Sequence, residues 1–235
     1  MTCSRLRFRR SATAVLVALG VMAIAQTASA APRVAPITSN PHGLSYAEWG
    51  ARWYQWALGT PVSDNPFVGA DCSGGQVGEV WFLHGVFGAG EAERTCRVPA
   101  GTALFFPLIN NAYFAFLNDP PDTRTEAFVR SMATCSADAV SASIDGVPVA
   151  NAGGYYVDAQ DTPLFEVQLP EDNILGLTEA DAEDLLLSPS AHSGYYLFVQ
   201  PLPPGTHTIA WQASGACGAQ DITYTVDVVP RAAFD

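Results

Sequence analysis

In the second half of the chain apolar side chains recur at every second position, and no other feature narrows the possible folds as much. Phe165, Val167 and Leu169 alternate with Glu166 and Gln168, and Ile222, Tyr224, Val226 and Val228 alternate with Thr223, Thr225 and Asp227. Only an extended backbone places residues i, i+2 and i+4 on one face, so these stretches predict strands with one side on a core and the other toward water. That is the habit of antiparallel sheets. Ala142 and Ile144 lead into Asp145-Gly146, and Val147 and Val149 leave it, which predicts a hairpin closed by a type I′ turn. The runs 80–87, 103–109 and 195–199 are almost wholly apolar and suit strands covered on both faces, while 206–211 is entered through Pro201-Leu202-Pro203-Pro204-Gly205. The expected fold is therefore mainly β: a single antiparallel β-sandwich over residues 31–235, immunoglobulin-like or jelly-roll, with an N-terminal aromatic helix and two short helices.

The aromatic helix is predicted over 44–59. Ser45 and Glu48 form a Ser-x-x-Glu capping box, Leu44 and Trp49 are spaced as a hydrophobic staple, and Gly59 followed by Pro61 stops the turn. At 100° per residue Tyr46, Trp49, Gly50, Trp53, Trp56 and Ala57 share one stripe, with Glu48, Arg52 and Gln55 opposite. Trp49, Trp53 and Trp56 are thus candidates for a ligand platform, of the kind that takes a carbohydrate or another small molecule. The favoured alternative is that the stripe is core, as large aromatics at helical spacing usually are. The short helices are expected at 125–135 and at 178–187, the second capped by Thr178 with Glu179 and Asp181 in its first turn.

The first thirty residues predict a cleaved signal peptide and so a secreted or periplasmic protein. Arg5, Arg7, Arg9 and Arg10 precede an apolar run at 12–25, and Ala28-Ser29-Ala30 is a small-residue cleavage pattern that would leave Ala31 as the new terminus. The run is shorter than the roughly 18 to 20 apolar residues needed to cross a bilayer, so no membrane span is expected once it is removed. Cleavage takes away Cys3 and leaves Cys72, Cys96, Cys135 and Cys217. In an oxidising compartment these predict two disulfides with three possible connectivities, of which Cys72 with Cys96 and Cys135 with Cys217 is preferred. No Cys-x-x-Cys or zinc-ribbon spacing is present. The formal charge of −12 comes from 23 acids against 11 basic residues, all arginine, which argues against nucleic acid as a partner.

The motifs of nucleotide binding and of zincin chemistry are missing, so no cofactor and no metal are expected. Gly43-Leu44-Ser45-Tyr46-Ala47 lacks the second glycine of a nucleophile elbow, and its serine is better used as a helix cap. Acidic residues crowd the middle of the chain, but their spacing matches no calcium loop. His207 shares a face with Ile209 and Trp211, and His84 lies inside an apolar run. Such histidines are usually hydrogen-bonded core residues, yet were His84 and His207 to meet near Asp71 or Glu79, an acid–base or metal-assisted site would follow. The function expected first is an exported, non-catalytic binding or structural protein of the cell envelope or medium. A secreted hydrolase built on those histidines and carboxylates is the alternative.

Three segments together, Tyr46-Ala-Glu-Trp-Gly-Ala-Arg-Trp-Tyr-Gln-Trp56, Val80-Trp-Phe-Leu-His-Gly85 with the stretch 96–110, and Leu202-Pro-Pro-Gly-Thr-His-Thr-Ile209, resemble uncharacterised exported bacterial proteins. The resemblance implies export and carries over no activity or site residue. The last segment, with the closing strand at 222–229, is also similar to the final two strands of immunoglobulin-like sandwiches.

Overall fold

The computed structural model describes residues 34–69 and 71–233. The predicted signal peptide at 1–30 lies outside them. Among the described residues two α-helices and ten strands follow in order: α1 (Tyr46–Gly59), β1 (Val80–Phe82), β2 (Ala89–Pro99), β3 (Ala103–Phe116), α2 (Glu126–Met132), β4 (Ala137–Ile144), β5 (Val147–Pro148), β6 (Tyr156–Val157), β7 (Phe165–Gln168), β8 (Leu186–Val199), β9 (Gly205–Gly215) and β10 (Gly218–Val229). The strands form two sheets. One has the order β1-β3-β8-β6, with β7 also on β8, and the other β2-β10-β9-β4-β5.

Both sheets are mixed, which corrects the expectation of purely antiparallel pairing. β1 runs parallel to β3, and β2 runs parallel to β10 along its full length, Ala89 to Pro99 against Ala219 to Val229. The reason lies in the path of the chain. β1, β2 and β3 belong alternately to the first, second and first sheet, so β1 and β3 are not joined by a hairpin and lie parallel.

In the first sheet β1 and the facing parts of β3 and β8 are buried on both faces. Val80, Phe82, Ala103, Phe105, Tyr196 and Phe198 pack against α1, while Trp81, Leu83, Leu104, Phe106, Leu197 and Val199 pack against Ile144, Ile209, Trp211, Ile222, Tyr224 and Val226 of the second sheet. Neighbours such as Phe105 and Phe106 are both fully buried, on opposite sides. This arrangement makes the continuous apolar runs physically reasonable, because a strand between two layers has no solvent side to fill with polar residues. The second sheet has one open face, and β4, β9 and β10 alternate accordingly. Asp145 and Gly146 both take positive φ, 52° and 74°, as a type I′ hairpin requires.

α1 carries the expected capping box: Glu48 N donates to Ser45 Oγ at 3.3 Å, and Ser45 N donates to Glu48 Oε2 at 2.7 Å. α2 is capped by Thr125, whose Oγ1 accepts from Phe128 N. The helix expected at 178–187 does not form. Asp181 N and Ala182 N close one turn on Thr178 O, a 3₁₀ turn with Asp184 at φ 58° follows, and the chain then enters β8. Leu187 pairs with Val167 of β7 and is fully buried, so sheet pairing overrides the local helix signal. The strand expected at 80–87 likewise stops at Phe82. Beyond it, His84 N donates to Tyr224 Oη and Val86 N to Gln220 Oε1. Cys72 is bonded to Cys96 and Cys135 to Cys217, with Cα separations of 5.5 and 5.2 Å.

Candidate functional site

The histidines and carboxylates singled out in the sequence occupy separate settings. His84 is buried, donates from Nδ1 to Gly85 O at 2.9 Å, and lies with its ring centroid 4.0 Å from that of Phe67. Burial, with the nearby Arg94 guanidinium, pushes its pKa down to about 3, so it is neutral and spends its proton on a carbonyl. His207 joins Asp145 Oδ2 at 2.7 Å through Nδ1 and donates to Pro203 O at 2.8 Å through Nε2. Its partial burial lowers the pKa, but the hydrogen bonds to Asp145 and Pro203 outweigh that and leave it raised. Asp145 Oδ1 also accepts from Thr208 N, so this pair fastens the hairpin turn. Asp71 accepts from Ser73 N in a local turn, and Glu79 is an exposed side chain 3.6 Å from His42 Nδ1. His84 and His207 engage different partners. Among the described residues no three His, Cys, Asp or Glu side chains gather where they could hold a metal ion.

The tryptophans of α1 face inward. Trp49, Trp53 and Trp56 are 8%, 4% and 7% exposed, and each indole N–H donates to a backbone carbonyl, of Pro41, Leu83 and Gly74 respectively. Trp53 nevertheless forms part of a wall. Beside it, between α1, β3 and residues 85–88, lies a cavity of about 370 Å³ bordered by Trp53, Tyr54, Phe67, Phe114 and Asn110. At its edge Phe87 and Leu175 are 62% and 43% exposed, an apolar mouth. Gln220 holds the 85–88 segment in place, accepting from Val86 N and donating to Val86 O and Gly88 O. A wider opening of about 660 Å³ lies along Trp49 and Trp56 and is bordered by His42, Arg52 and Glu79.

A buried polar chain runs next to the smaller cavity. Tyr196 Oη donates to His192 Nδ1 at 2.9 Å, which leaves His192 Nε2–H to donate to Ala47 O at 2.8 Å. Burial lowers the His192 pKa to about 4 and raises that of the Tyr196 phenol, and Asn110 and Tyr54 stand beside the same hydroxyl. Asn110 Nδ2 is fully buried and directed at the Tyr196 hydroxyl without closing a short hydrogen bond.

Sequence reading missed Asn110 and His192. The strand expected at 103–109 runs on to Phe116: beyond an irregularity between Pro107 and Ile109, Ala112, Phe114 and Phe116 take up a two-residue period on the helix side of β3. That period was the available signal. For His192 the signal was Gly50 in the aromatic stripe, since a helical glycine often marks close approach. A Cβ at Gly50 would lie 2.2 Å from His192 Cε1.

These features define a mainly β, disulfide-linked protein with two mixed sheets, an aromatic helix and a cavity with aromatic walls. Among the described residues no helix is long and apolar enough to cross a membrane. No protein-family model matches the chain, and no curated protein sequence does. Two solved structures are similar to it at a distance. Amebosin, known from a solution structure, shares 9% identity over 65% of this chain and 100% of its own, with a TM-score of 0.24. PbICP-C, solved in complex with falcipain-2, shares 12% over 65% of this chain and 100% of its own, with a TM-score of 0.27. Likenesses this remote carry no argument about this chain.

Proposed function

We propose that this is an exported, non-catalytic binding protein of the cell envelope or medium, built on an immunoglobulin-like sandwich, that holds a small molecule in the cavity beneath α1. The observation that carries the reading is the cavity itself, walled by Trp53, Tyr54, Phe67 and Phe114 and bordered by the exposed Phe87 and Leu175. A cavity of about 370 Å³ falls within the range of ligand sites, which are mostly apolar with a few convergent polar groups. Export is supported by the Arg-rich start, the apolar run and Ala28-Ser29-Ala30, together with two disulfides suited to an oxidising compartment.

The test uses N-phenyl-1-naphthylamine, a neutral fluorescent probe, titrated into the disulfide-bonded protein. Saturable enhancement at one site, abolished by Ala112→Phe with the thermal transition retained, is the expected result. Absence of saturable enhancement with the unmodified protein overturns the proposal. Amino-terminal sequencing of protein recovered from the host checks export separately, and Met1 retained on soluble protein would refute it.

A further inference from the structure

β3 is paired unevenly on its two sides. Along β8 it is paired from Leu104 to Phe116, but on the other side β1 covers it only from Ala103 to Phe105. After Leu83 N donates to Phe105 O the chain leaves β3 for Tyr224 and Gln220 of β10, and among the described residues no other strand takes its place. The cavity lies at that vacant strand position. Residues 107–112 border it in succession, and consecutive residues of a strand all meet one space only where its backbone edge, rather than one of its faces, is the wall.

The ladder fixes which groups the edge offers. Ala103 N donates to Glu79 O and Phe105 O accepts from Leu83 N, so alternate residues of β3 turn their backbone groups away from β8. Pro107 is next in this series, at a place where a missing N–H breaks no ladder bond. The irregularity between Pro107 and Ile109 inserts Leu108, and the series resumes at Asn110, Ala112 and Phe114. It ends at Phe116, whose N–H donates to Asp119 Oδ2. Residues 110–114 are half-buried, in contrast to the covered stretch before them. Sheet edges are ordinarily guarded by charged side chains, yet no described residue bordering this one is charged, and Phe87 and Leu175 stand exposed at its mouth.

Resting on the binding role proposed above but going beyond a small molecule, we infer that the groove along β3 accepts an extended, uncharged peptide segment as an added strand. Its backbone pairs with Asn110, Ala112 and Phe114, and every second side chain, apolar, enters the space walled by Trp53, Tyr54 and Phe67. The edge repeats a donor and an acceptor at every second residue, roughly 6.8 Å apart, and another extended backbone matches that repeat. A partner peptide is favoured over a second copy of the chain, because two molecules of formal charge −12 repel each other.

The probe is a terminally blocked heptapeptide of alternating serine and valine with a neutral nitrobenzoxadiazole label, followed by fluorescence anisotropy on the disulfide-bonded protein. Two further peptides are N-methylated, one at its valines and one at its serines, since only one of these sets turns its N–H groups toward β3. The parent peptide should bind saturably and slow hydrogen exchange at the Ala112 and Phe114 amides. One methylated peptide should lose about tenfold or more in affinity while the other stays within about threefold, and Ala112→Pro, which removes an edge N–H and spares the β8 ladder, should weaken the parent by about threefold or more. No binding of the parent, equal responses to the two methylations, or an unchanged affinity in the variant overturns the inference. Dimers of the unmodified protein that Ala112→Pro turns into monomers overturn it in favour of a second copy. If N-phenyl-1-naphthylamine binds and the peptide does not, only the peptide has failed; if neither binds, the binding role falls as well. Should Ala112→Pro not fold, the methylated pair still decides.

Discussion

Trp53 does three things from one position: it fills space between α1 and the first sheet, donates to Leu83 O, and walls the cavity. Trp53→Ala should therefore destabilise by about 3–5 kcal/mol in urea unfolding, because a void is left and a buried carbonyl loses its donor. A change within about 0.5 kcal/mol would mean that the helix shows its tryptophans to solvent. His84 and His192 make a second forecast. Both pKa values lie well below 6.5 in the folded protein, near 3 and near 4, so below pH 6.5 the unfolded chain binds protons that the folded one refuses. Stability from these residues is complete above pH 6.5 and is lost as pH falls toward 4, with a slope of up to about 1.4 kcal/mol per pH unit for each. Urea midpoints from pH 7 to 4.5 should fall steadily, and His192→Gln should roughly halve the slope, whatever its absolute stability. His207, with its raised pKa, works in the opposite sense and weakens the fold as pH rises through that value. At this scale the sequence showed which residue types were unusual but not which would meet. Asn110 acquires its meaning from Tyr54 and Tyr196, far away along the chain.

Elements whose signals are local were legible, and those settled by partners were not. The capping box of α1 stands where Ser45 and Glu48 put it, because both groups lie within one turn. Ser45→Ala should cost about 0.5–2 kcal/mol of unfolding free energy. Thr178 and Asp181 make the same local hydrogen bonds, yet the turn goes no further because Leu187 is claimed by β7. Gly50 gives a sharper test of how tightly α1 is seated. In an open helix Gly→Ala gains about 0.5–1 kcal/mol, but here the new methyl meets the His192 ring. Gly50→Ala should destabilise by about 1–3 kcal/mol, the usual cost of overpacking, and a rise in the thermal midpoint would show that the helix can lift away at little cost.

The described residues form three layers: α1, the first sheet and the second sheet. Alternation in β4, β9 and β10 foretold the open-faced sheet, and the unbroken runs in β1, β3 and β8 foretold one covered twice. Direction was not legible, since side-chain period is identical in parallel and antiparallel strands. The disulfides bridge separations of 24 and 82 residues, which by chain entropy correspond to roughly 3.5 and 4.5 kcal/mol. Replacing Cys135 and Cys217 by serine should therefore lower stability by about 1 kcal/mol more than replacing Cys72 and Cys96, as read from paired urea curves. The parallel seam of β2 with β10 has a further consequence, for the order of events during synthesis. β10 lies inside its sheet, between β2 and β9, so β2 emerges from the ribosome with no backbone partner and keeps none until residues 218–229 have followed. Nascent chains halted before that point leave β2 open to proteases, and the sheet closes only after almost everything else has been translated.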